Sequence, residues 1–390
     1  MTMGMRNVVT ILLGKEENFN NGDKKGGKQK MLNWEKRGKV AQSILETIGF
    51  TPLVKLNRVS EEINANILVK MEWFSPTGSH KDRIYYHMVT EAVRRGDLKP
   101  GMEILESSTG NAGAAAAFVG AVLGYPVTII IPEGMSAERY KLMEMYGAKM
   151  IITPGAESDV DLCLRKQEEM AKEHPLKYWI PDQYGNPDNI EAHYLTTGRE
   201  IWEQAEGKID AVVCLQGSGA TITGVGRYLR EKNPGVLLYA GEPTEAPFLS
   251  EGKWGAHRIE GIGDGFIPRD LDMDLIDGVF LVSSEEAIEM GRRLAKEEGL
   301  FCGITSGGNV AGAIKVAKRH PELQVIVTIL HDTGQRYFST PLCGIEKELI
   351  IPEREHPLMI AGAGLNSRDI LRPCAITELE KQQARWEIIR

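Results

Sequence analysis

Residues 103–132, EILESSTGNAGAAAAFVGAVLGYPVTIIIP, decide the architecture. Glu103–Glu106 is a short run of strand length. Ser107–Gly113 is a Ser/Thr/Gly loop that feeds a helical stretch, Ala112–Leu123. Val127–Ile131 then returns as a β-branched run. Neither run alternates apolar with polar residues, the pattern of strands buried on both faces. Strand, crossover helix and second strand make a βαβ unit, so the two strands run parallel.

The same rhythm extends in both directions. Further strands are predicted at Ile67–Met71, Met150–Thr153, Ala211–Leu215, Leu237–Gly241, Val279–Val282 and Val325–Leu330. Further helices are predicted over Lys81–Arg95, Ala137–Tyr146, Asp159–His174, Ile190–Gln204, Ile222–Glu231, Ser284–Glu298 and Gly308–Arg319, with Ser136 as an N-cap. The fold class is α/β: two mostly parallel sheet domains flanked by helices, with ligands at the carboxyl ends of the strands. Residues 15–30, KEENFNNGDKKGGKQK, nearly lack apolar side chains, so residues 1–33 read as a flexible arm. Ile376–Ile389 reads as a terminal amphipathic helix.

Composition narrows the function. Hydrophobic residues are 42% and charged residues 26% of the 390, which excludes wholesale disorder. The net charge of −8 argues against nucleic acid or an anionic membrane as partner. No apolar run reaches the ~18 residues of a spanning helix. The five cysteines are scattered without a Cys-x-x-Cys pair, as in a reducing cytoplasm, and the histidines lack metal-ligand spacing, so no metal is expected. Glycine is in excess: 42 residues, about 11% against a usual ~7%.

The excess has a pattern. Four glycine-bearing loops are expected to follow strands and precede helices: 107–113, 216–221, 261–266 and 303–308. Each could present backbone N–H groups to an anion, though any one alone is more often a plain connection. Gly-x-x-x-x-Gly-Lys-Ser/Thr is absent, and no dinucleotide fingerprint is complete. Lys81, in Ser75-Pro-Thr-Gly-Ser-His-Lys-Asp-Arg-Ile, is expected at a helix mouth. The helix dipole there favours the neutral amine that a Schiff base requires, although taken alone an ordinary surface lysine is the better reading.

Together the motifs resemble the cysteine synthase and cystathionine β-synthase family of pyridoxal 5'-phosphate (PLP) enzymes, the fold type II of the tryptophan synthase β chain. The likeness runs from about Ile44 to about Leu342. Its signatures stand in order: ILETIGFTPLVKLNRV, SPTGSHKDRI, SSTGNAG, IPEGMSAERYKLMEMYGAKMIIT, GSGATITGVGRYLR, HRIEGIGDGFIP, EEAIEMGRRLAKEEGLFCGITSGGNVAGA and GQRYFST. The resemblance implies a larger cofactor-phosphate domain, 34–71 with 187–350, a smaller substrate domain, 72–186, and a C-terminal extension, 351–390.

It also implies roles. Lys81 would carry the cofactor and move the substrate Cα proton. Asn111 would bond the cofactor's 3′-oxygen. Gly217, Ser218, Gly219, Ala220 and Thr221 would hold the phosphate, and Thr305 would face the pyridine nitrogen. Ser108, Thr109, Gly110, Ala112 and Gln183 would bind the substrate carboxylate, with Gly261 beside the substrate. The implied activity is β-elimination and β-replacement on a serine- or cysteine-derived amino acid through an aminoacrylate. Cysteine synthesis from an O-activated L-serine and sulfide comes first, in a cytoplasmic homodimer.

Asp264 departs from the family's usual small residue. A carboxylate there could act as general base on water, making serine and hydrogen sulfide from cysteine. It could equally turn away and cap a nearby N–H. A reading of another class, a non-catalytic PLP-family scaffold that binds partners, is opposed by the intact Lys81, Asn111 and Thr305.

Overall fold

The apolar runs become two separate sheets, and the loops at their carboxyl ends meet. A computed structural model describes residues 32–154, 160–263, 265–346 and 375–390. Most of the arm (1–31), residues 155–159, Asp264 and residues 347–374, which include most of the extension, lie outside the described residues.

The first sheet holds β1 (Leu53–Lys55), β2 (Asn66–Met71), β7 (Ala211–Leu215), β8 (Leu237–Pro243), β9 (Gly278–Val282), β10 (Val325–Leu330) and β11 (Glu387–Ile389). Their order is β1-β2-β10-β7-β8-β9-β11. Only β1 pairs antiparallel. The second sheet orders β3 (Glu103–Ser107), β4 (Val127–Pro132), β5 (Lys149–Thr153) and β6 (Tyr178–Trp179) as β5-β4-β3-β6, all parallel.

Strands without alternation are indeed covered on both faces. In β7, Ala211, Val213 and Leu215 join one apolar cluster, while Val212 and Cys214 join another on the opposite face. Each fully buried branched side chain contributes ~1.5–3 kcal/mol.

Helices cover the sheets. α1 (Lys81–Arg95) and α2 (Asn111–Leu123) pack on the second sheet with α3 (Ala137–Met145), and α4 (Val160–Glu173) covers its other face. α1 ends where Gly96 takes a left-handed φ of 79° and its N–H reaches back to Ala92 and Val93. α5 (Pro187–Ala192) starts at Asn186, whose side chain accepts from the Asp188 N–H. α6 (Arg199–Gln204), α7 (Ala220–Lys232), α8 (Ser284–Arg293) and α9 (Ile304–Arg319) follow.

Several expectations are corrected. The helix expected over Ile190–Gln204 begins earlier and widens into π-type turns at His193–Gly198. There the Thr196 hydroxyl bonds the Ala192 carbonyl at 2.6 Å, competing with the backbone ladder. The helix expected to Glu298 likewise widens at Leu294–Glu298. Ser136 stands at the N-cap position of α3 without capping it, because its hydroxyl donates to the Arg336 carbonyl at 2.9 Å.

The terminal helix, α10 (Ala375–Gln383), stops short, and Glu387–Ile389 becomes β11. The edge of β9 offers unpaired backbone groups, and β11 takes them in register with Gly278–Phe280. Trp386 anchors the turn by donating to the Ile276 carbonyl at 2.9 Å. Tertiary pairing here overrides helix propensity. No helix among the described residues is long and apolar enough to cross a membrane.

Candidate active site

A cleft opens between the carboxyl ends of the two sheets. Every site residue expected from the sequence lines it except Gly110, Ala220 and Asp264. Gly110 and Ala220 sit one residue away in the same loops. Asp264 lies outside the described residues.

The wall from the first sheet is backbone. The loop after β7 passes through Gly217, Ser218 and Gly219 into α7, whose first turn carries no acidic residue. A Cβ on Gly217 would lie 2.5 Å from the Gly261 carbonyl oxygen. Gly219 has φ +78°, and a Cβ there would lie 2.7 Å from Leu271 Cα. Only glycine lets the chain pass, and the N–H groups at the helix start suit a phosphate dianion. The residues present therefore fit a phosphate-bearing cofactor. Thr305, at the start of α9, donates to the Glu260 carbonyl at 2.7 Å, so its hydroxyl offers lone pairs to the cleft.

Two loop expectations fail. Residues 304–308 are already helix, not loop. Gly307 serves packing: a Cβ there would lie 2.2 Å from the Ala287 carbonyl oxygen on α8. The 261–266 loop neither follows a strand nor opens a helix.

The wall from the second sheet is a web of side chains. Ser108 Oγ accepts from the Gly110 and Gly113 N–H groups at 3.0 and 2.9 Å, shaping the loop after β3. Arg139, on α3, donates to the Thr109 carbonyl at 2.9 Å and the Tyr337 hydroxyl at 3.1 Å. It also pairs with Glu260 at 2.7 Å, joining the two walls. Asn111 Nδ2 donates to Asp332 at 2.8 Å, and its Oδ1 accepts from Arg336. The other Asn111 N–H has no partner among the described residues. Gln183 joins the same web: its Nε2 donates to Glu106 Oε1 at 3.2 Å and the Ser107 carbonyl at 3.4 Å. Its Oε1 accepts from Lys81 Nζ at 3.3 Å.

Lys81 is the first residue of α1, and the helix start is pinned. Asp82 accepts from the Thr77 N–H at 2.7 Å. Burial pushes its carboxyl up to about 6. Arg83 is buried between Glu72 at 2.7 Å and Glu200 at 2.6 Å, and Lys70 meets Glu200 at 2.8 Å. Burial works against the Glu200 anion, yet Arg83 and Lys70 outweigh it and hold its carboxyl far below the usual range. Behind Lys81, His80 lies 4.6 Å from His331 and 5.9 Å from His193, ring centre to ring centre. Burial lowers all three imidazoles, His331 to about 4.

Sequence reasoning missed Glu106, Arg139, Glu260, Asp332, Arg336 and Tyr337. Each lies inside or beside a quoted motif, but its partner is distant in the chain. Elsewhere His87, Asp188 and Glu191 bring metal-ligand atom types together despite irregular spacing. Arg95 already holds both Asp188 oxygens, at 3.0 and 2.5 Å.

A lysine facing a backbone-built anion cradle across a cleft defines a class, and comparison with known proteins agrees with it. The profile of the pyridoxal-phosphate dependent enzyme family matches residues 44–332, so the chain belongs to that family and uses pyridoxal phosphate. Within it the chain is cysteine synthase-like. It is 43% identical over 305 residues to a cysteine synthase of Staphylococcus aureus, covering 78% of this chain and 97% of that protein. A crystal structure of a cysteine synthase from Entamoeba histolytica aligns with TM-score 0.75 at 42% identity, covering 80% and 93% of the two chains. A hydrogen sulfide-producing enzyme from Fusobacterium nucleatum aligns with TM-score 0.73 at 36% identity, covering 76% and 100%.

Proposed function

We propose that the protein makes L-cysteine by replacing the β-substituent of an O-activated L-serine with sulfide. The observation that carries this is Lys81 Nζ, held at a cleft that the Gly217–Thr221 cradle and the loop 108–112 also line. Lys81 would hold the cofactor covalently, Gly217, Ser218, Gly219, Ala220 and Thr221 its phosphate, and Asn111 its ring oxygen through the uncommitted N–H. Thr305 would face the ring nitrogen with a neutral hydroxyl. When bound, the cofactor supplies an electron sink for charge at the substrate Cα.

The chain's own groups do the rest. Backbone N–H groups of Thr109 and Ala112, in a loop that Ser108 Oγ shapes, orient the substrate carboxylate. Lys81 takes the Cα proton, the oxygen leaving group departs from Cβ with its electron pair, and sulfide sulfur bonds Cβ. Lys81 returns the proton to Cα. Gln183 keeps an acceptor on the Lys81 amine between these transfers.

The test is purified protein with O-acetylserine or O-phosphoserine and sulfide. Cysteine should form, and Lys81→Ala should lose both turnover and the visible absorbance of lysine-bound cofactor. No cysteine from any O-activated serine would overturn the reading.

The likeness to a hydrogen sulfide-producing enzyme, with Asp264 in the sequence, favours a second reading: L-cysteine plus water to L-serine and hydrogen sulfide. Asp264 would draw the proton from the attacking water. Cysteine given alone should then release serine and sulfide, and Asp264→Ala should abolish the serine. The family likeness also supports a cytoplasmic homodimer and the division into 34–71 with 187–350 against 72–186. Light scattering at twice the chain mass checks the dimer.

A further inference from the structure

Glu106 has no part in the chemistry above, yet it stands one side chain from Lys81. It lies on β3 and is 2% exposed. Its Oε1 accepts from Gln183 Nε2 at 3.2 Å, and Gln183 Oε1 accepts from Lys81 Nζ at 3.3 Å. The Tyr85 hydroxyl of α1 also faces the Glu106 carboxyl. Burying a carboxyl this deeply costs free energy that an apolar residue on β3 would not.

We propose that Glu106 is a positioning residue for Lys81, acting through the Gln183 amide on where the amine points and how readily it gives up its proton. This rests on Lys81 being the cofactor lysine. An amide has one donor end and one acceptor end. Glu106 Oε1 and the Ser107 carbonyl can both accept, so they hold the donor end. The acceptor end is left facing Lys81, and it accepts from an ammonium or an amine alike.

Charge adds a second effect. Burial pushes the Glu106 carboxyl up to about 8, with the Tyr85 hydroxyl and the Lys81 charge pulling part of the way back. At neutral pH Glu106 is therefore an uncharged acid. Ionisation of Glu106 would place a negative charge behind the Gln183 amide and favour the Lys81 ammonium, and the coupling is reciprocal. The groups facing Glu106 are Lys81 and Tyr85 from α1, Ser107 from β3, and Asp182 and Gln183 from the segment after β6. Around Lys81 stand also His80, His193, His331 and Asp270.

The test is pH-dependent acetylation of Lys81 in the full-length apoprotein by acetic anhydride, quantified by mass spectrometry. The holoenzyme's cofactor absorbance is titrated in parallel. Wild type should show two steps in Lys81 labelling, one of them belonging to Glu106. Glu106→Gln keeps the shape and an acceptor but cannot ionise. It should lose the Glu106 step and label Lys81 on the order of 10-fold faster at alkaline pH. A Glu106→Gln profile superimposable on wild type overturns the proposal. A single step in folded wild type overturns it as well, whatever the variant's folding. If the holoenzyme never acquires visible absorbance, the role of Lys81 fails instead, and the labelling still reports the coupling.

Discussion

The two walls of the cleft are built from different materials. The wall from the first sheet is main chain: Gly217, Ser218 and Gly219 run into α7, and its specificity comes from side chains that are absent. The wall from the second sheet is side chain: Arg139, Asn111 and Gln183 each hold a loop through a partner far away in sequence. A backbone wall suits a constant group, since N–H positions cannot drift far and a phosphate asks only for donors. A side-chain wall suits a variable task, since each contact can be tuned singly. Substitutions in the first wall should therefore act on cofactor retention, and those in the second on turnover.

The largest effect should come from where the walls share a foundation. Arg83→Ala leaves Glu72 and Glu200 buried without their shared cation. Removing one partner of such a cluster costs about 3–5 kcal/mol. Urea denaturation should show that loss, with cofactor retention and turnover falling together. Loss of only one would mean that the foundation serves a single wall.

Next is Gly219→Val. The left-handed backbone alone costs ~1–2 kcal/mol for a residue with a Cβ, before the clash with Leu271. Cofactor affinity should fall at least ~10-fold by fluorescence titration, with secondary structure intact. Arg139→Met should do the reverse: kcat/KM down about 10-fold, cofactor affinity within a factor of ~2. An equal loss of affinity in Arg139→Met would erase the distinction between the walls.

The same contrast explains what could be read from the sequence. The first wall was legible because its signal is local: a buried strand, a glycine loop and a helix start within one short stretch. β7 falls at the residues that its apolar run indicates. In the second wall Lys81 and the loop 108–112 were equally legible, but the side chains that hold them were not, because those partners are remote. Asn111 meets Asp332 across 221 positions, and Gln183 meets Glu106 across 77. Composition and spacing carry no trace of such pairs. The end of the chain failed for a related reason. Glu387–Ile389 becomes a strand only because β9 leaves an edge to pair with. Glycine itself misled at Gly307, where it allows α9 to approach α8 and does not form a loop.

The smallest effect should come at Ser136, and it separates two local explanations. As an N-cap, Ser136 would accept from an α3 N–H, and aspartate would replace it well. In the structure its hydroxyl instead donates to the Arg336 carbonyl, tying α3 to the segment that carries Tyr337. Ser136→Ala should then cost about 0.5–1.5 kcal/mol, one hydrogen bond. Ser136→Asp should not rescue it, because an ionised carboxylate cannot donate to a carbonyl and would face it oxygen to oxygen. Ser136→Asn, which retains a donor, should recover part of the loss. Thermal unfolding of the three variants decides: rescue by aspartate would make α3 an independently capped helix, and rescue by asparagine alone would make it part of the web that holds the second wall to the first.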